Sequence, residues 1–104
     1  MTGERLRLDV WLWRARFFKT RSLATAAVER GVFVERNGQS RKVDKASASV
    51  EPGDGVSFRQ GKTLRTVRVL AHGERRGPAA EARGLYEDLG EDLGEDLAAE
   101  GEGA

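Results

Sequence analysis

At 104 residues and 11.4 kDa the chain has room for one domain and a tail, with a core kept marginal because small domains bury a smaller share of their surface. The absence of cysteine excludes a disulfide, a thiolate nucleophile and a sulfur-ligated metal, and no apolar run reaches signal or membrane-span length, so a cytoplasmic protein without membrane contact is expected. The net charge of +1 conceals a segregation: residues 1–83 hold all 18 Lys and Arg against 9 Asp and Glu, and residues 84–104 hold the other 8 acids and no base.

A basic domain followed by an acidic tail is a pattern met in nucleic-acid binders, although a solvated charge run with no partner is also common. From Arg7, the residues Leu8, Trp11, Leu12 and Ala15 fall on one helical face. Asp9 suits the positive end of the helix dipole. Val10, Trp13 and Phe17 form a second apolar face that something must cover. Trp11 and Trp13 read as core anchors, with base stacking by Trp13 or Phe17 as the alternative. The stretch Arg14 to Ser22 is the most distinctive of the chain, with Arg14, Arg16, Lys19 and Arg21, two adjacent phenylalanines and no carboxylate.

Phe17 to Thr20 is expected as a connection, and a second helix from about Arg21 to Arg30. Thr20 is its N-cap and Gly31 its left-handed terminator. The first turn then exposes amide donors beside Lys19 and Arg21, which is a ready phosphate site. Strands follow: Val32 to Val34, the turn pair Asn37 and Gly38, a segment near Ser47 to Val50, the turn Pro52, Gly53 and Asp54, then Val56 and Phe58, a turn at Gln60 and Gly61, and Leu64 to Leu70. Arg41, Lys42 and Lys45 make a second basic cluster.

His72 stands alone, without a second His or a nucleophile arrangement, and reads as a surface residue. There is no phosphate-binding loop or dinucleotide fingerprint. No catalytic residue, metal site or cofactor is therefore expected. Ala79 to Tyr86 reads as a short helix, with Leu85 and Leu89 candidates to cover the second face of the first helix. From Glu87 the unit Glu-Asp-Leu runs three times, with Gly90 and Gly94 after the first two copies. It reads as a mobile tail, partly helical near Tyr86, serving as a solubiliser or as an intramolecular competitor for the basic surface. The expected division is a domain over 7–70, a basic linker and short helix over 71–86, and the acidic tail over 87–104.

The two-helix unit, Gly31, the Asn37-Gly38 turn and the later Pro52-Gly53-Asp54 resemble the S4 RNA-binding domain. Arg7 to Asp9, Trp11 to Trp13 and Arg16 to Ala24 look like the opening of the heat shock protein 15 family. The resemblance runs on through Gly31, Asn37 to Gln39, Lys45 to Asp54, Arg59 to Gly61, Arg75 to Pro78 and Leu85 to Glu87, about 80 residues in all. It implies an α+β, S4-like (αL motif) fold, two packed helices on a small, mainly antiparallel sheet with an acidic C-terminal tail. It also implies an RNA-binding, ribosome-associated protein that meets ribosomal RNA on large subunits still carrying a nascent chain on tRNA and helps to recycle them. The alternatives are a quality-control factor assisting tail elongation on stalled chains, or an S4 module serving an RNA-modifying enzyme. The RNA-contacting surface carried over by the resemblance is Arg7, Arg16, Lys19, Thr20, Arg21 and Ser22, with Asn37, Gly38, Gln39 and Lys45 facing them. Ribosomal RNA and the large subunit are the expected partners, with tRNA and non-specific DNA as further ones, and a monomer is expected. Two features depart from the family pattern: the Gln39 to Lys45 connection is longer than usual, and the tail is acidic where a basic extension is usual.

Overall fold

Helix α1 covers only Leu8–Arg14, and it is short because the chain reverses at Arg16, a non-glycine residue with positive φ, at 68°. The structure, a computed structural model, describes residues 5–93. Ahead of α1, the two-residue strand β1 (Leu6–Arg7) pairs antiparallel with β4 (Ser49–Val50). Helix α2 (Arg21–Glu29) starts at Thr20 as expected and ends through Gly31, whose φ is +110° and whose amide donates to the Val28 carbonyl at 2.8 Å.

A five-stranded antiparallel sheet follows, in the order β3-β2-β5-β6-β7. Its strands are β2 (Val32–Arg36), β3 (Gln39–Val43), β5 (Gly55–Gln60), β6 (Thr63–Val69) and β7 (Tyr86–Leu93). The β2–β3 hairpin turns on Asn37 and Gly38, with φ of 56° and 80°, as a two-residue turn requires to match the strand twist. The cross-strand row Val34, Val56 and Val67 faces the helices and is buried with Phe58 and Val69 against Leu8, Trp11, Leu12, Ala24 and Val28. Each such large side chain contributes about 1.5–3 kcal/mol of transfer free energy. The opposite row, with Phe33 beside Ser57 and Thr66, is left open.

The α+β expectation holds, and three local readings change. The first is the segment after Tyr86, expected to be partly helical. Residues 86–93 instead form β7 on the edge of β6, because β6 offers cations to its acids: Arg65 bonds Asp88 at 3.1 Å and Arg68 lies opposite Glu87. A bulge between Thr66 and Val67 leaves Leu89 unpaired and exposed, so it does not cover α1, whereas Leu85 is buried in the core. Residues 94–104 of the expected tail lie outside the described residues.

The second change is that the expected helix over Ala79 to Tyr86 is one turn of α-helix, α3 (Ala79–Ala82), followed by a 3-10 turn over Arg83–Leu85. The third is that Gln39 to Val43 is a strand, and that the one near Ser47 is only Ser49–Val50.

The segment 71–78 straps α1 to the sheet. Ala71 accepts from the Trp11 indole at 2.9 Å, Gly73 from Arg14 at 2.7 Å, and Arg76 donates to the carbonyls of Trp13 and Phe18 at 3.1 and 3.3 Å. His72 bonds the Val50 carbonyl at 2.7 Å in the same strap. No helix among the described residues is long and apolar enough to cross a membrane.

Candidate nucleic-acid interface

The start of α2 is built to leave donors free. Thr20 caps it, its hydroxyl accepting from the Leu23 amide at 3.0 Å and its carbonyl from Ala24 at 3.2 Å. The amides of Arg21 and Ser22 then have no acceptor among the described residues, and the first turn carries no acid. Lys19, Arg21 and Ser22 are exposed, and neither cation has an ion-pair partner among the described residues. Two open amides, the helix dipole and two exposed cations next to them in the chain make a setting that favours an anion.

Arg16 reaches this loop at a conformational cost. Its amide donates to the Trp13 carbonyl at 3.0 Å and that of Phe17 to Leu12 at 3.1 Å, the paired bonds of a left-handed helix terminus. Glycine usually holds such a position, because a side chain there is disfavoured by about 1 kcal/mol. Arg16 is exposed and binds no acid among the described residues. Arg16→Gly is therefore expected to raise the thermal midpoint, by a stabilisation of about 0.5–1 kcal/mol, while lowering affinity for RNA. A thermal melt and a titration of the same sample check both signs.

Asp9 organises the remainder. It is only 1% exposed, takes a two-pronged bond from Arg7 with both distances 3.0 Å, and accepts from Thr25 of α2 at 2.8 Å. Burial alone would push the Asp9 carboxyl up. The hydrogen bonds from Arg7 and Thr25, the Arg7 charge and the Val10 amide outweigh it and hold the group below the usual carboxylate value. The Asp9 amide also donates to the Ala46 carbonyl at 3.4 Å, next to exposed Lys45.

Arg7 is thereby held beside α2, one turn from Arg21 and Ser22, with its guanidinium still half exposed. Ser49, opposite Arg7 across the β1–β4 pair, accepts from Arg36 at 3.5 Å, and Arg36 grips Asp54 at 2.7 and 2.9 Å. These contacts link the hairpin tip, Asn37, Gly38 and Gln39, to the α2 side of the molecule.

The ten residues expected to contact RNA thus fall into two groups. Arg7, Arg16, Lys19, Thr20, Arg21, Ser22 and Lys45 belong to α1, α2 and the segment that docks on them. The hairpin tip is a separate outpost, four residues or about 13 Å along β2 from Val32. Arg14, counted among the cations of the basic stretch, is spent on Gly73. Phe17 is buried, so its stacking assignment falls, and Trp13 is partly buried with Arg76 over its ring at 5.8 Å. The residue that sequence reasoning missed is Asp9. The signal for it was an acid set within a basic opening, which had been read only as a partner for the helix dipole.

No family model matches the chain. It is 42% identical over 88 residues to the heat shock protein 15 homolog of Haemophilus influenzae, covering 85% of this chain and 64% of the relative. It is 49% identical over 83 residues to heat shock protein 15 of Escherichia coli K12, covering 80% and 59%. The chain thus spans about 59 to 64% of the length of these curated relatives. Among solved structures, that of Vibrio cholerae heat shock protein 15, described as trimeric, superposes with a TM-score of 0.70 at 44% identity over 83% of each chain.

Proposed function

The chain belongs to the heat shock protein 15 family, and on that premise we propose that it is an RNA-binding protein of the cytoplasm that associates with the large ribosomal subunit. There it would meet ribosomal RNA and peptidyl-tRNA and help to free subunits obstructed by a nascent chain. The observation that carries the reading is the start of α2: open amides at Arg21 and Ser22 flanked by Lys19 and Arg21, with no acid in the turn. Such a start suits a phosphate, and the role proposed for it is binding. Structured RNA presents backbone and 2′-hydroxyls more than base edges, so recognition of shape is expected.

Replacing Lys19 and Arg21 together by alanine tests this. Affinity for a structured RNA should fall on the order of tenfold or more at about 0.1 M salt, and the slope of log affinity against log salt should drop by roughly one per lost contact. The folded double variant should also stop sedimenting with free large subunits. Equal sedimentation of variant and parent would remove the assignment.

A further inference from the structure

The sheet face turned away from the helices carries a feature that the α2 site does not use. Phe33 of β2 is 51% exposed and has no ring partner among the described residues. Beside it, where the chain leaves the C-terminal end of α2 and enters β2, a cleft of about 630 Å³ opens between Arg30 and the ends of β5 and β6. Phe33 and Leu64 give it apolar walls, Ser40 and Ser57 give it hydroxyls, and Arg30 and Arg59 stand on it as cations. Among the described residues no carboxylate lines it, and neither arginine has an ion-pair partner.

An exposed aromatic beside hydrogen-bonding hydroxyls and two guanidinium groups matches the chemistry of an unstacked nucleotide. The base has a flat apolar face and polar edges, and its phosphates are anionic. The volume lies within the range of small-molecule sites. We propose that this cleft is a second RNA site, which takes one single-stranded nucleotide with its base on Phe33 and its flanking phosphates on Arg30 and Arg59. It is separate from the α2 start, since it lies at the opposite end of that helix. The inference rests on the RNA-binding reading above: structured RNA is held at α2, and an adjoining single strand is held here.

The test uses the full chain with two probes, a single-stranded hexaribonucleotide carrying 2-aminopurine and a blunt RNA hairpin. Phe33→Ala should weaken the hexamer about 5- to 100-fold and abolish the 2-aminopurine fluorescence change caused by stacking. It should leave the hairpin affinity and the thermal midpoint unaltered. Phe33→Trp should preserve hexamer binding. Arg30→Ala with Arg59→Ala should lower the hexamer's salt slope by about one per arginine.

Hexamer binding and fluorescence unaffected by Phe33→Ala would overturn the cleft site, whatever happens to the hairpin. Hairpin binding unaffected by the Lys19 and Arg21 double substitution would overturn the α2 reading alone. Sedimentation equilibrium gives the remaining outcome. If Phe33→Ala lowers the protein's molecular mass in solution instead of its hexamer affinity, the face contacts a second copy and the nucleotide proposal falls.

Discussion

Phe17→Ala is expected to destabilise the protein by about 4 kcal/mol, a large share of the roughly 5–15 kcal/mol that holds a small domain together. The residue lies in the most basic stretch of the chain, yet its ring is only 5% exposed. It packs 4.9 Å from the Phe58 ring, 4.6 Å from Tyr86 and 6.1 Å from Trp11, with the Arg65 guanidinium over it at 4.9 Å. Removing it leaves a cavity where α1, β5 and the start of β7 meet, and these elements cannot collapse together because each is held by other bonds. Its own backbone is also fixed, since the Gln60 amide donates to the Phe17 carbonyl and Arg76 to that of Phe18. The substitution should therefore loosen Lys19 and Thr20 along with the core. Urea unfolding measures the loss as a lower midpoint at an unchanged slope. A change below about 1 kcal/mol would mean that the ring is not a core anchor.

Phe17 also shows where sequence reading stops. The helical wheel placed it opposite Leu8 and Trp11, which holds only while the helix continues. The helix ends at Arg14, and the left-handed turn at Arg16 returns the next ring to the core. Nothing local marks Arg16 for that turn, because glycine is its usual occupant. Where the local code was sufficient, at the Thr20 cap, the Gly31 terminator and the Asn37-Gly38 turn, expectation and structure agree.

Strand β7 fails for a different reason. A glycine-punctuated acidic run has poor propensity for any regular element. Its pairing comes from Arg65 and Arg68 on β6, some 20 residues earlier. The strap is the same case: Arg14 belonged to the basic stretch and Arg76 to the basic linker, and both donate to backbone carbonyls about 60 positions away. Half of the candidate site was legible, because a capped helix start is a local object. Asp9 was not, because its three partners, Arg7, Thr25 and the Ala46 carbonyl, meet only in the fold.

Asp9→Asn should cost about 3 kcal/mol at neutral pH, because it replaces charge-assisted bonds from Arg7 and Thr25 with neutral ones at a buried site. The pH dependence gives a sharper check. The folded-state pKa of Asp9 lies below its ordinary value of 3.8. Between the two values the unfolded chain binds more protons than the folded one, so stability rises with pH there. The Asp9 contribution is accordingly full above about pH 5 and is lost as pH falls through 3.8 towards the folded value. Urea midpoints taken from pH 6 down to pH 3 should fall for the parent, and the gap between parent and Asp9→Asn should hold above about pH 5 and narrow as pH drops below 3.8. A gap that stays constant would place the contribution of Asp9 in packing and not in its charge. Because the described contacts hold Arg7 to α2 through this carboxylate and its bond to Thr25, the neutral variant should also release Arg7 from the candidate surface. Adding Arg7→Ala to Asp9→Asn should then weaken RNA binding far less than Arg7→Ala does in the parent, a non-additivity that a double-mutant cycle reads directly.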